Sequence, residues 1–305
     1  MSPQDEHRRE VTSAELTAPL LSYDDAIRQI AAAFAPLESV EVPLADALGL
    51  VLADDVTAED DIPAFDNSAM DGFALRSVDV DGAVEIRVAA EVGPGTAAKV
   101  MTGQPIPVGA DAVVPWERAE QLDDGRLRVE GGVRPGRFIR PRGEDVRAGD
   151  LVLASGTVMG PVEIGMAAAV GRSRLGVHPR PRVGVLSTGD ELVDVGEPVG
   201  RGRVRDANGP LLAATVASLG GRVSGIERTP DDPDRIADAL IRLVAISDLV
   251  VSSGGASVGE KDWLRVVLER FGELAFWRIA MRPGKPVALG RVDGTPVVVL
   301  PGNPG

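Results

Sequence analysis

From Arg180 to Gly305 the chain alternates short apolar runs with amphipathic runs, and this order constrains the fold more than any other feature. The apolar runs RVGVLS, RVSGIER and DLVVSS are each followed by a run of helical spacing, the last of them KDWLRVVLERFG. Strands that alternate with helices predict an α/β fold, a mostly parallel sheet covered by helices on both faces. The runs AFWRIAM, PVALG and PVVVLPG predict further strands of that sheet.

Two regions precede this one. Ser22 begins an S-x-x-D capping pattern that predicts an amphipathic helix to about Phe34, and a short strand over 40–43 and a second helix over 45–52 are predicted to follow. Short alternating runs separated by Gly, Pro and Asp then predict a small β-rich domain, after which PVEIGMAAAVG returns to a helix. The expected organisation is a disordered tail (1–20), a helical N-terminal domain (21–78 and 157–179), an inserted β-rich domain (79–156) and an α/β domain (180–305).

The composition excludes several classes of protein. Lys and Arg number 32 against 46 Asp and Glu, a net charge of −14, whereas a duplex nucleic-acid binder presents a basic face. The absence of cysteine rules out thiolate metal sites and cysteine nucleophiles. The sequence has no apolar run of the roughly 20 residues that a membrane span needs, and no signal-peptide core at its start. We therefore expect a cytoplasmic protein with no nucleic-acid or membrane partner.

The histidine content narrows the chemistry further. Only His7, in a polar N-terminal segment, and His178, in the linker-like run LGVHPRPR, are present. A Ser-His-Asp triad or a His-rich zinc site would depend on His178 alone. The sequence therefore favours a hard cation held by carboxylates and other oxygens, as Mg²⁺ would be.

Four glycine-rich loops each follow an apolar strand: STGDEL, SSGGASVG, MRPGKP and LPGNPG. In open α/β sheets, ligands bind at the carboxyl ends of the strands. Glycines permit close approach of a ligand to the backbone, and hydroxyls with exposed N–H groups suit an anion. The chain has neither G-x-G-x-x-G nor a Walker motif, so the usual dinucleotide and P-loop sites are poor fits. One such loop is ordinarily a plain connection, but four together favour a ligand site.

Several motifs occur together in a family order: FDNSAMDGFA, MTGQPIPVGADAVV, RGEDV, STGDEL, SSGGASVGEKD, RPGKP and LPGNP. From about Leu20 to its last residue the chain resembles the molybdopterin molybdenumtransferases, the molybdate insertases of molybdenum-cofactor synthesis, and is similar to the E domain of gephyrin. STGDEL and the GGxSxG loop alone would indicate only the wider molybdopterin-binding fold, shared with the adenylylating enzyme of the same pathway. DNSAMDG and the inserted β-rich domain point to the insertase.

The resemblance implies a reaction and its participants. Adenylylated molybdopterin and molybdate are the implied substrates, AMP is released, and molybdenum is left on the dithiolene sulfurs. Mg²⁺ is the implied metal, since cleavage of a phosphoric anhydride needs charge neutralisation. The implied assembly is a homodimer in which DNSAMDG completes the site of the partner subunit. The upstream molybdopterin adenylyltransferase is a further expected partner.

The resemblance also assigns roles to individual residues. The implied catalytic residues are Asp71, Asp145, Glu191 and Asp262, the last two also as ligands of the metal. The implied substrate-binding residues are Thr102, Ser187, Asp190, Asp231, Gly254, Gly255, Ser257, Arg278, Arg282, Lys285 and Pro286. Structural alternatives stay open: Asp190 and Asp231 also suit helix caps, and Thr102 and Ser257 also suit hydrogen bonds within their own loops.

The family pattern continues beyond LPGNP with Val-Ser, a helix and a C-terminal β-barrel domain, whereas this sequence ends at Gly305. The resemblance therefore implies that part of the molybdate site lies outside these 305 residues. An alternative function is a molybdopterin-binding protein, similar to the adenylyltransferase or to a scaffold, that inserts no metal.

Overall fold

The computed structural model of the chain describes residues 20–254, 263–282 and 284–302. The chain forms two compact units. Met1–Ser39 and His178–Gly305 make the first, which we call the α/β unit, and Val40–Val177 makes the second, the β-rich unit. No helix of the described ranges is long and apolar enough to cross a membrane. The tail expected over 1–20 lies, except for its last residue, outside them.

Short strands, interrupted by a few helices, make up most of the regular secondary structure. The α-helices are α1 (Tyr23–Ala32), α2 (Pro161–Ala169), α3 (Asn208–Ser218), α4 (Pro233–Val244) and α5 (Trp263–Phe271). The strands up to residue 178 are β1 (Val40–Pro43), β2 (Val51–Leu52), β3 (Val56–Thr57), β4 (Asn67–Ser68), β5 (Gly72–Leu75), β6 (Val84–Val88), β7 (Thr96–Val100), β8 (Ala112–Pro115), β9 (Ala119–Gln121), β10 (Arg126–Val129), β11 (Ile139–Arg140), β12 (Leu151–Leu153) and β13 (Arg174–His178). The later strands are β14 (Arg182–Thr188), β15 (Leu192–Val193), β16 (Val204–Arg205), β17 (Arg222–Thr229), β18 (Leu249–Ser253), β19 (Glu273–Trp277), β20 (Ala288–Val292) and β21 (Thr295–Leu300).

The α/β unit is built on a six-stranded sheet of order β17-β14-β18-β21-β20-β19. β14 pairs in parallel with β17 and β18, and β18 pairs in parallel with β21. β20 is antiparallel to both of its neighbours, so the sheet is mixed. The strands and helices predicted after residue 180 are present, because long apolar runs bounded by glycine leave few alternatives to buried strands.

Two hydrophobic clusters pack helices onto this sheet. Leu240 of α4 and Leu264 of α5 lie in one cluster with the strand residues Leu186 and Val297. The second cluster joins α1 to β19 and β20, among others through Ala26, Phe276 and Leu289. Ser22 caps α1 as predicted, because its hydroxyl accepts a hydrogen bond from the Asp25 N–H (3.1 Å).

The β-rich unit contains a second six-stranded sheet, of order β8-β5-β7-β6-β10-β9. Its core includes Phe73, Leu75, Ile86 and Leu127. The expected start of the β-rich segment at residue 79 is too late, since β5 lies inside the sheet between β7 and β8. All four residues of β5 are buried, so this strand lacks the apolar–polar alternation that marks a half-buried strand.

The helix predicted over 45–52 is wrong. The structure has a single 3₁₀ turn, Leu44–Asp46, followed by β2. The N–H of Gly49 donates to the Met159 carbonyl (2.7 Å) and that of Leu52 to the Thr157 carbonyl (2.9 Å), so long-range bonds replace helical ones. Helix α2 forms as predicted.

The expected helical N-terminal domain is therefore organised differently. Its first helix, α1, belongs to the α/β unit, since it packs against β19 and β20. The remainder, within the β-rich unit, is mainly strands: β1, β13 and β2 form a three-stranded sheet, and β3 pairs with β12. The two-residue strands β2 and β3 carry little periodicity, which is why the sequence does not indicate them, whereas β1 forms at Val40–Pro43 as predicted.

Gly72 is required where β5 passes β8. A Cβ atom at this position would lie 2.1 Å from the Val114 carbonyl oxygen, and backbone cannot give way as a flexible side chain can. We expect Gly72→Ala to lower the free energy of unfolding by about 3 kcal/mol, the upper end of the usual cost of overpacking. Urea denaturation of the parent and the variant measures the difference.

Gly165→Ala is the matched control in the same unit. Gly165 lies exposed inside α2, and a Cβ there would meet nothing within 4 Å. This change is expected to stabilise the protein by about 0.5–1 kcal/mol, because alanine restricts the unfolded chain more than glycine does. Equal stability of Gly72→Ala and the parent would contradict the packing described for β5.

Candidate functional site

Five strands of the α/β sheet end at the same edge. β14, β17, β18 and β21 are mutually parallel, and β19 runs in their direction because both β19 and β21 are antiparallel to β20. The loops that follow these strands carry STGDEL, TPDD, SSGG, MRPGKP and LPGNPG. The structure thus places the beginnings of all four glycine-rich loops at one edge, which we call the carboxyl edge.

The loops at the carboxyl edge are tied together by Asn208, the first residue of α3. Its side-chain Nδ2 donates to Ser253 Oγ (2.7 Å) and to the carbonyl oxygen of Gly302 (2.8 Å). The Gly254 N–H also donates to the Leu300 carbonyl (3.3 Å). The start of helix α3 and the residues at the ends of β18 and β21 are therefore held in one arrangement.

Gly254 sits where only glycine fits. Its φ is +94°, and a Cβ there would lie 2.3 Å from the Thr188 carbonyl oxygen. The loop after β18 therefore passes directly over the end of β14, as expected of a loop that brings backbone close to a ligand. The neighbouring predicted residues Gly255, Ser257 and Asp262 lie outside the described residues.

Buried polar groups line the same edge beneath the loops. The hydroxyls of Ser187 and Thr188 are buried, and neither has a hydrogen-bond partner in the described part of the chain. The carboxylate of Asp206, also buried, accepts a hydrogen bond from the Gly209 N–H (2.9 Å) at the start of α3. A hydroxyl can donate one hydrogen bond and accept two, so Ser187 and Thr188 keep capacity for a ligand.

Sequence reasoning missed Asp206 and Asn208. The signal was present, because D-x-N directly before a helical run is a capping pattern. It would have indicated a fixed helix start, but not that Asn208 reaches two other loops, since those contacts are long-range.

The acidic residues of the STGDEL loop differ in their contacts. Asp190 Oδ1 accepts a hydrogen bond from the Asp231 N–H (3.1 Å), so Asp190 joins two loops rather than capping a helix. Glu191 is exposed, and its carboxylate receives no hydrogen bond or ion pair from any residue that the structure describes. Asp231 does not cap α4. That role belongs to Asp232, which accepts from the Arg235 N–H (2.9 Å).

The basic residues lie on the turn that joins β19 to β20. The Arg278 N–H donates to the Val287 carbonyl (2.9 Å) and the Ile279 N–H to the Lys285 carbonyl (3.0 Å), which folds the turn back on itself. Arg278 is partly buried with φ +97°, and Arg282 and Lys285 are on the same turn. Within the described ranges no carboxylate pairs with these three cations, and Pro286 leads from them into β20.

Three motifs of the β-rich unit come together in the structure. The Ser68 N–H donates to the Gln104 carbonyl (3.0 Å) and the Ala69 N–H to the Phe138 carbonyl (2.9 Å). These bonds join DNSAMDG to MTGQPIP and to the segment before RGEDV. Hydrogen bonding within this unit therefore gathers all three motifs, although they are far apart in the sequence.

Asp71, Thr102 and Asp145 have defined partners in that assembly. The backbone N–H and the hydroxyl of Thr102 donate to Asp71 Oδ1 at 2.7 and 2.8 Å. Both oxygens of Asp145 accept from Arg140 Nη2, at 2.7 and 2.6 Å. Thr102 therefore hydrogen-bonds within its own unit, which is the structural alternative stated for it. Asp145 is held in an ion pair with Arg140.

His178 has a structural contact. His178 is the last residue of β13, and its Nδ1 lies 2.6 Å from the carbonyl oxygen of Leu37.

Among the described residues no group of three or more His, Asp or Glu side chains is arranged to hold a metal ion. The described part of the carboxyl edge thus offers Glu191 as a single free carboxylate.

Comparison with known proteins identifies similar chains over most of this length. Residues 21–171 match the MoeA N-terminal region (domain I and II), and residues 184–305 match a probable molybdopterin binding domain. Molybdopterin molybdenumtransferase 2 of Mycobacterium tuberculosis is 40% identical over 289 residues, 87% of this chain and 70% of that protein. Molybdopterin molybdenumtransferase of Haemophilus influenzae is 37% identical over 279 residues, 88% of this chain and 69% of that protein.

A solved structure agrees in fold. The crystal structure of the molybdopterin biosynthesis moeA protein from Pyrococcus horikoshii superposes with a TM-score of 0.80 at 30% identity. The match covers 94% of this chain and 75% of that one.

The contact between Thr102 and Asp71 lowers the pKa of the Asp71 carboxyl, first through the Thr102 N–H and then through its hydroxyl. A lowered pKa in the folded state contributes stability above the unfolded value of about 3.9. That contribution is lost as the pH falls through the folded pKa. We expect Thr102→Val to raise the pKa of Asp71 without restoring its ordinary value, because the backbone N–H remains.

Carboxyl-carbon NMR titration measures this pKa directly. Thr102→Ser keeps the hydroxyl and is expected to keep the low pKa, which separates loss of the hydrogen bond from loss of the side chain. A Thr102→Val variant whose Asp71 titrates like the parent would show that the hydroxyl contributes nothing.

Proposed function

The chain belongs to the molybdopterin molybdenumtransferase family, and we propose that it inserts molybdate into adenylylated molybdopterin with release of AMP. The observation that carries the proposal is the division of charge along the carboxyl edge. Glu191, a carboxylate with no partner among the described residues, follows β14, and cations that no described carboxylate pairs lie on the turn after β19. β14 and β19 are four places apart in the sheet, roughly 19 Å at the usual strand spacing.

That separation leaves room for adenylylated molybdopterin and molybdate, the two proposed substrates, to bind along one edge. Between the two flanks, the described residues directly after β18 and β21 are small: Gly254, Pro301 and Gly302. Gly254 and Gly302 approach each other closely, since a Cβ on Gly302 would lie 3.1 Å from the Gly254 Cα. A flat ligand can therefore lie against backbone between the flanks, with the buried hydroxyl of Thr188 beneath it.

On the acidic flank, Glu191 is the proposed protein ligand of Mg²⁺. Mg²⁺ keeps several water molecules and binds one or two carboxylates together with substrate phosphates, so a single exposed carboxylate fits its chemistry. When bound, Mg²⁺ neutralises charge on phosphoryl oxygens. Asp262, expected as a second ligand, follows β18 outside the described residues and remains a proposed ligand.

On the basic flank, Arg278, Arg282 and Lys285 are proposed to hold the oxyanion substrate, molybdate. Guanidinium groups donate paired hydrogen bonds that match tetrahedral oxyanions, and lysine adds a compact charge. Because no described carboxylate neutralises these cations, their charge is available to an anionic ligand. Arg278 is held most firmly, since it is partly buried and its backbone is bonded to Val287.

The two flanks predict different kinetic defects. Glu191→Gln should lower AMP release about 100-fold, because it removes the charge that holds the cation, while molybdopterin binding is retained. Arg282→Ala should raise the molybdate concentration for half-maximal turnover about tenfold, because it removes a charge-assisted hydrogen bond. AMP release from adenylylated molybdopterin, with Mg²⁺ and molybdate, measures both, and calorimetric titration measures binding.

Matched controls lie at the opposite edge of the same sheet. Glu273 begins β19 and Arg222 begins β17, and both are exposed. Glu273→Gln and Arg222→Ala should behave as the parent. If Glu191→Gln released AMP at the parental rate while the chain stayed folded, its assignment as the metal ligand would be wrong.

We further propose that the chain acts as a homodimer, as the family resemblance implies for the DNSAMDG motif. The Asp71–Thr102 contact and the Asp145–Arg140 ion pair would serve the partner subunit's reaction. Static light scattering at micromolar concentration should give the mass of two chains. The mass of a single chain would contradict the proposal.

A further inference from the structure

The β-rich unit contains a cavity of about 300 Å³ that the proposed reaction does not use. It lies between the end of β8 and the loop after β10, and residues 113–118 and 129–138 supply all of its lining. None of the residues assigned a role in the reaction is among them.

The charged lining of the cavity is mostly cationic. Arg118, Arg134 and Arg137 line it together with a single carboxylate, Glu130; all four are exposed, and two positive charges are in excess. In the part of the chain that the structure describes, none of these four side chains forms an ion pair. Nearby arginines of the same sheet are paired: Arg126 with Glu85 and Asp124, and Arg128 with Glu85 and Glu120.

Three arginines gathered around one carboxylate repel one another, in a chain where 46 acidic residues stand against 32 basic ones. An anion in the cavity would relieve that repulsion.

The backbone around the cavity favours the same ligand. Arg137 is held in place, because its carbonyl accepts from the Val113 N–H (2.9 Å) and its N–H donates to the Arg134 carbonyl (3.2 Å). Its guanidinium lies 4.7 Å from the centre of the Phe138 ring. The N–H groups of residues 131–133 donate to no described residue. Successive free N–H groups form anion-binding concavities in proteins.

We propose that this cavity binds the phosphate group of a small anion, up to the size of a nucleoside monophosphate. The cavity volume lies at the lower end of small-molecule sites. Guanidinium forks with free backbone N–H groups are the donors that phosphate oxygens accept best. The proposal stands apart from the carboxyl edge of the α/β unit and does not rest on the proposed function.

Calorimetric titration of the full chain with inorganic phosphate, AMP and adenosine tests the proposal. We expect saturable binding of at least one phosphate-bearing probe and none of adenosine, which lacks the phosphate. Tighter binding of AMP than of phosphate would identify a phosphomonoester as the ligand, and equal binding would identify phosphate alone. Absence of saturable binding by both would overturn the proposal.

Variants assign the binding to the cavity. The double variant R134Q/R137Q should weaken binding about tenfold or more, because it removes charge-assisted hydrogen bonds. R87Q is the matched control, since Arg87 is exposed on β6 of the same sheet, is outside the cavity and has no ion pair with a described residue. If the double variant does not fold, R118Q, which changes one exposed residue of the cavity, tests whether the anion binds there.

A second comparison separates this site from the basic flank of the α/β unit. Arg282→Ala should leave the affinity of the cavity unchanged, and R134Q/R137Q should release AMP from adenylylated molybdopterin at the parental rate. Phosphate binding that survives R134Q/R137Q but is lost in Arg282→Ala would place the anion at the carboxyl edge alone and overturn the proposal. Failure of AMP release in every chain would bear on the proposed function and not on the cavity.

Discussion

The parallel register of three strands determines what the α/β unit can bind. Ser187 of β14 is level with Ser253 of β18, which is level with Leu300 of β21. Because the strands end together, the loops that leave them must cross within van der Waals distance. At Gly254 no side chain fits between its backbone and the end of β14. A slip of one residue would reverse the facing of every side chain in the strand and separate these loops.

In the described part of this edge, backbone crowds the centre and charged side chains lie at the flanks. Glu191 stays exposed beside Gly189, and its carboxylate is free of described partners. The cations lie beyond β21, on a turn held by backbone bonds at Arg278 and Ile279. Among the described residues, charges of opposite sign at this edge are thus separated by the width of the sheet and form no ion pair. Such a surface can bind a phosphate through a metal ion at one flank and an oxyanion through the cations at the other.

The sequence predicts this half of the molecule well because its patterns are local. Runs such as RVGVLS specify buried strands, and glycine directly after them indicates where the chain turns. Local patterns do not predict contacts between residues far apart in the sequence. Asn208, for example, hydrogen-bonds to Ser253 and Gly302, which are 45 and 94 residues away. The residues over 45–52 suit a helix by composition, yet Leu52 bonds to Thr157 instead. The family motifs predicted the site residues Asp71, Thr102 and Asp145 of the β-rich unit, but only the structure shows which groups these side chains contact.

A crystal structure of the chain with bound molybdopterin tests the central claim, that the carboxyl edge of the α/β sheet is the substrate site. We expect the pterin against Thr188, Gly254 and Gly302, with its phosphate directed to the loop after β14 that carries Glu191. A ligand bound at the opposite edge, where Arg182 and Arg222 begin their strands, with the carboxyl edge vacant, would contradict it.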